Sequence, residues 1–150
     1  YVWCGENKEE SIDNCYFIDA YGFIFERAAK FRNNDFTVFY GSLNSAGNEI
    51  IGARFLPETE FAGLKKLIDG VTALLLDSSE LVKKDDGDYE LMLERGGKIL
   101  FSLLDDTERI LSNLESALET DPLKTNLAKK TKNLEYIDLH FGNKVFFKFK

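Results

Sequence analysis

Histidine occurs once in these 150 residues and cysteine twice. Any Ser-His-Asp or Cys-His arrangement would have to use His140, and two thiols with one distant imidazole do not make the four ligands of a zinc site. Phosphate loops are missing as well, because Gly96-Gly97 lacks the glycine spacing and the lysine that such loops use. The run Asp85-Asp86-Gly87-Asp88 has neither the alternating ligands nor the closing glutamate of an EF-hand and reads as a solvated turn. Basic charge is short, with 26 acidic against 19 basic residues and a formal charge of -7. Phosphate backbones repel a chain of that sign, and no basic stripe with interleaved aromatics offsets it, which argues against a nucleic-acid partner. Apolar runs are brief: Ala73 to Leu76 falls far short of the roughly 20 residues a membrane-spanning helix needs. Asp138 and His140 fall on one strand face with Tyr136 beside them, an arrangement that reads as a surface histidine with a neighbouring carboxylate. No enzyme, cofactor or metal is expected.

What is present is ordinary for a folded domain. A hydrophobic fraction of 44% supports a core, and the length fits one domain spanning residues 1–150. The first third reads as β: Cys15 to Asp19 and Phe23 to Glu26 form a hairpin through Ala20-Tyr21-Gly22, followed by strands at Phe36 to Tyr40 and Ile50 to Phe55. The segment Ser42 to Asn48 between those strands is a loop by composition. Pro57 opens a helix whose apolar face is Phe61, Leu64, Leu67, Ile68, Val71, Leu74 and Leu75. A strand at Glu80 to Lys84 follows, then a hairpin of Tyr89 to Glu94 and Lys98 to Ser102 around the two glycines. A second helix is capped by Asp105 with Glu108 three residues on, and it buries Ile110, Leu111, Leu114, Ala117 and Leu118. Asp121-Pro122 ends it, and a short helical turn through Leu127 follows. The class is α+β: a largely antiparallel sheet built from hairpins and flanked by two main helices.

Two features point outward. Cys4 and Cys15 bracket a polar loop containing Glu10, Ser11 and Asp13, and each cysteine flanks an aromatic strand-like run. The expectation is a Cys4–Cys15 disulfide, against a competing reading of two reduced core thiols. At the other end, Leu134 to Phe141 and Lys144 to Phe149 form a tight hairpin about Gly142-Asn143. Val145, Phe147 and Phe149 face one way, and Lys144, Phe146, Lys148 and Lys150 the other. Phe146 among lysines needs cover, from a helix of the same domain or from a partner. A basic-aromatic terminal strand on an acidic domain suits an acidic partner strand.

Tyr136-Ile137-Asp138-Leu139-His140-Phe141 resembles the "YIDLR-aromatic" signature that closes the extracytoplasmic domain of the bacterial cell-division FtsQ/DivIB family. Trp3 followed by Cys15 to Phe25 resembles that family's "W…Y-L-I-D-x-x-G-hydrophobic-x-F" segment, and the intervening helices and hairpin follow in the same order. The cysteine pair is similar to that of family variants with an extra bridge between the first strands. The departures are His140, where the family usually has arginine, and the lack of a tail after the last strand.

The resemblance implies the β-domain of a single-span membrane protein on the outer side of the cell membrane. It implies a divisome scaffold without enzymatic activity that holds FtsB/DivIC- and FtsL-like partners. The terminal strand region receives the partner segment in that family, which carries the role to His140, Phe141, Asn143, Lys144, Phe146 and Lys148, with Tyr136 and Asp138 beside them. A chain opening on Tyr1 rather than Met reads as a piece lacking the small POTRA domain and the anchor. The rival reading is a secreted or surface-exposed domain that binds carbohydrate or another small ligand through its aromatics, although 13 phenylalanines against one tryptophan suit packing better than sugar stacking.

Overall fold

Tyr89, Leu91 and Leu93 are buried along their strand, while Asp88, Glu90 and Met92 between them are half-open. That period of two is what a sheet with one covered face imposes. The strand belongs to a single nine-stranded sheet, whose strand Val38–Tyr40 is instead buried at every residue. The computed structural model describes residues 1–9, 14–29, 35–45, 47–84, 87–130 and 133–150. Glu10, Ser11 and Asp13 of the disulfide loop, Ala46, and Asp85 and Asp86 of the acidic turn lie outside the described residues.

The strands are β1 (Val2–Trp3), β2 (Cys15–Ile18), β3 (Ile24–Ala28), β4 (Val38–Tyr40), β5 (Ser78–Lys83), β6 (Asp88–Leu93), β7 (Lys98–Ser102), β8 (Leu134–Phe141) and β9 (Lys144–Phe149). The helices among the described residues are α1 (Glu58–Ala73), α2 (Thr107–Leu118) and α3 (Leu123–Lys129). The sheet order is β3-β2-β1-β4-β5-β6-β7-β8-β9. Five pairings are antiparallel and three are parallel. The α+β class and the mostly antiparallel sheet agree with the sequence reading. The parallel pairs β4/β5 and β7/β8 do not follow from hairpins: each is bridged by helix, α1 in one case and α2 with α3 in the other.

Both long helices lie on the same face. Phe61, Leu64, Leu67, Ile68 and Val71 of α1 and Ile110 and Leu114 of α2 share one core with Phe39, Leu81, Leu91, Ile99, Phe101 and Ile137 of the sheet. Phe61 is its centre, fully buried, with the Phe39 ring 6.4 Å and the Tyr1 ring 6.2 Å away. Burial, with Asp69 beside it, pushes the Tyr1 phenol up to about 12. A second, smaller core of Val2, Cys4, Cys15, Ala28, Val38 and Tyr40 occupies the opposite face at the β1–β4 end.

Several local details depart from the sequence reading. Ile50 to Phe55 is no strand: Arg54 makes isolated bridges to Phe23 and Asn44, and the backbone of Gly52 and Ala53 bonds to Ile24 instead. Strand β4 starts at Val38 rather than Phe36. The α2 cap is Asp106, whose carboxylate accepts from the N–H groups of Glu108 and Arg109. The neighbouring Asp105 instead accepts from the Arg109 guanidinium at 3.0 Å, and Glu108 pairs with Lys66. Leu75 lies beyond the end of α1 and is exposed rather than part of its buried face.

The Cys4–Cys15 disulfide is present, with the Cα atoms 4.2 Å apart across β1 and β2. It closes a loop of sequence separation 11, for which the chain-entropy treatment gives about 2–3 kcal/mol of stabilisation. β1 joins the β2/β3 hairpin to β4 through the two pairs Val2–Val38 and Trp3–Phe39, so that stabilisation falls where the strand pairing is short. Full reduction is expected to lower the melting temperature by roughly 5–10 °C. Calorimetry on the alkylated, reduced chain measures it, and an unchanged melt would remove the disulfide from the account of stability.

Candidate functional site

The terminal hairpin is made by its turn. Gly142 takes φ 62, which a side chain resists, and the Asn113 side chain of α2 donates to the Gly142 carbonyl at 2.7 Å. The turn is thereby fastened to the helix layer. Strand β8 carries two irregularities, between Leu134 and Tyr136 and between Asp138 and Phe141, while β9 runs evenly opposite it. Bulges of this kind bend a strand and re-aim its side chains.

Strand β9 is the last in the sheet and pairs only with β8. Its backbone polarity follows from its two ends. Lys144 stands opposite Phe141 at the turn, and the Lys150 N–H donates to the Asn133 carbonyl at 2.8 Å. Even-numbered residues thus turn their backbone groups to β8. By alternation, Val145, Phe147 and Phe149 direct theirs to the open edge.

The side chains divide differently. Val145, Phe147 and Phe149 pack against the main core. Lys144, Phe146 and Lys148 are exposed. Phe146 is 49% exposed and Phe141 is 55% exposed, and the two rings meet edge to face at 4.9 Å. Neither the helices nor the rest of the sheet covers this aromatic pair. Lys148 is not a free cation: Glu135 holds its ammonium at 2.9 Å, and that hydrogen bond raises it above the ordinary lysine range. Asn143 sits exposed in the turn.

Behind Phe146 on the open face lie Tyr136, Asp138 and His140, all half-buried. Asp138 stands directly opposite Phe146, and Tyr136 opposite Lys148. The Asp138 carboxylate lies 2.7 Å from His140 Nδ1 and accepts from the His140 N–H at 3.1 Å, which fixes the imidazole over the bulge. His140 Nε2 faces Asp88 Oδ1 of β6 at 3.3 Å, an ion-pair distance without hydrogen-bond alignment. The oxygens against both ring nitrogens are therefore carboxylates.

Three residues of this surface escaped the sequence, Asp88, Glu135 and Asn113, as did the Gly142 carbonyl's role as an acceptor. Asp88 and Asn113 are brought in by the parallel β7/β8 pairing and by helix packing, for which the sequence holds no local signal. Glu135 sits at a bulge, which alternation alone misplaces. Trp3, the sole tryptophan, is 7% exposed and donates its Nε1–H to the Gly41 carbonyl at 2.9 Å. It offers no face for a sugar ring.

Two comparisons bear on these residues. The model of the family "Cell division protein FtsQ/DivIB, C-terminal" matches residues 7–140, from the disulfide loop to the penultimate residue of β8. No curated protein matches the chain.

Proposed function

Because the chain belongs to the FtsQ/DivIB C-terminal family, we propose that its β9 edge receives a strand from an FtsB/DivIC- or FtsL-like division protein. The family gives the chain a role in cell division, and the reading adds a membrane anchor and an extracellular domain that meets other divisome components. It is a family of non-enzymatic scaffolds. Within that role, the observation that carries the reading is the free backbone edge of β9 beside an uncovered pair of phenylalanines. A guest strand satisfies the open N–H and C=O groups, which supplies affinity, while side-chain contacts supply selection. Phe141 and Phe146 form the apolar contact, and Lys144 with the turn residue Asn143 meets acidic or polar groups at one end. Lys148, already tied to Glu135, contributes as a neutralised pair more than as a steering charge. Tyr136, Asp138 and His140 form the floor behind the anchor ring.

The chain performs no chemistry of its own in this reading, and its place is the extracytoplasmic side of the cell membrane. The carbohydrate-binding alternative gains nothing from the buried Trp3. Phe146→Ala tests the site: it is expected to weaken partner binding by more than about 1 kcal/mol, as central aromatic anchors do. The melting temperature should barely move, since half of the ring is already in water. Titration calorimetry with the partner's extracytoplasmic segment reads the first and a thermal melt the second. Unchanged affinity would move the contact away from β9.

A further inference from the structure

Leu75 occupies a backbone position made for glycine. Helix α1 ends in a reverse pair of bonds, with the Leu75 N–H donating to the Thr72 carbonyl at 2.9 Å and the Leu76 N–H to the Val71 carbonyl at 3.3 Å. This ending needs its first residue past the cap in the left-handed region, and Leu75 has φ 63. A Cβ in that region crowds the following carbonyl, so leucine there is strained. Burial of the side chain would offset the strain, yet Leu75 is 79% exposed. The fold gains nothing from this leucine that glycine would not give.

Its chain neighbour Leu74 lines, with Gly70, Glu108, Leu111, Ser112 and Glu115, a groove of about 300 Å³ between α1 and α2. The helices run parallel, as shown by Lys66 against Glu108 at one level and Gly70 against Leu111 at the next. A Cβ on Gly70 would fall 2.6 Å from the Leu111 methyl carbons, so the glycine is what lets the helices approach and leaves a furrow outside them. Parallel helices bring both negative dipole ends to one side. Neither last turn has a basic residue to balance them, and Glu115 adds to the same sign.

We propose that Leu75 and this groove dock a basic amphipathic helix of a partner protein, on the helix layer of the domain. Its leucine-like residues fill the furrow between α1 and α2, and its lysines or arginines meet Glu115 and the two helix ends. The residues that line the groove are not those of the β9 edge.

The test uses the 150-residue chain with two synthetic amphipathic helices, one built of leucine and lysine and the other of leucine and glutamate. The leucine-lysine peptide is expected to bind and to shift the amide resonances of residues 70–76 and 108–119. Leu75→Gly alters no charge, and it should raise the melting temperature by about 2–4 °C while weakening the peptide at least about five-fold. Glu115→Lys should weaken it further, and added salt should do the same. Resonance shifts confined to other surfaces, equal affinity for Leu75→Gly, equal binding of the leucine-glutamate peptide, or no gain in melting temperature would each overturn the proposal.

Discussion

Replacing Val145 with proline is expected to weaken partner binding on the order of 100-fold, while the domain keeps its fold. The expectation rests on which way the backbone faces. The Val145 N–H points to the open edge, so proline there removes a donor offered to the guest and no bond within the sheet. The pyrrolidine ring also projects toward the incoming carbonyl. Proline is tolerated on sheet edges for the same reason that it blocks them. Lys148→Pro is the matched control, because that N–H faces β8. It should loosen the hairpin itself and lower stability along with binding. Calorimetric titration and a melt on both variants separate the two effects. If Val145→Pro binds as the parent does, the guest does not add as a strand on β9.

Phe61→Ala is expected to cost about 3–5 kcal/mol, enough to lower the melting temperature by roughly 10 °C or more. Phe61 is fully buried, and its ring is wedged among Tyr1, Phe39 and the Gly22 turn. Even the Cβ that Gly22 lacks would come within 2.8 Å of the ring. Truncation therefore opens a cavity that three separate segments, β4, the Gly22 turn and the start of β1, would have to close together. They are held by sheet pairing and cannot follow, so the void persists. Leu104→Ala, at a leucine 88% exposed, should stay within about 0.5 kcal/mol and shows that the loss belongs to the core. A Phe61→Ala loss no greater than that of Leu104→Ala would mean that the core relaxes.

Hairpins were legible because they are local. A glycine-bearing turn between two alternating runs carries both the register and the facing in one short window, as at Gly96-Gly97 and Gly142-Asn143. The disulfide was legible for the same reason, since the loop it closes is short. Ile50 to Phe55 misled because β-branched and aromatic residues also fill irregular segments. There Ile24, Asn44 and Gly22, all distant in sequence, take up its hydrogen bonds. The shift of the α2 cap from Asp105 to Asp106 reflects two adjacent residues of equal capping ability, with Arg109 deciding which one is free. Leu75 extended a periodic apolar run by one residue past the point where the helix ends, and periodicity has no means of sensing a left-handed φ. In the candidate site, Phe146 and the lysines could be assigned a face from the strand alone. The Asp88–His140 contact could not, because it depends on β6 and β8 flanking β7, a neighbourhood that helix packing sets.

The two margins of the sheet are unequal, and this bears on stoichiometry. At β3 the N–H of Ile24 donates to Ala53 and its carbonyl accepts from Gly52, so the chain's own 52–53 segment plugs the start of that margin. Exposed Glu26 and Arg27 occupy the remainder. The β9 margin has no such plug among the described residues. Edge-to-edge polymerisation requires a donor margin and an acceptor margin on every copy. With the start of the β3 margin occupied, the proposed strand addition at β9 is expected to take one guest strand per chain.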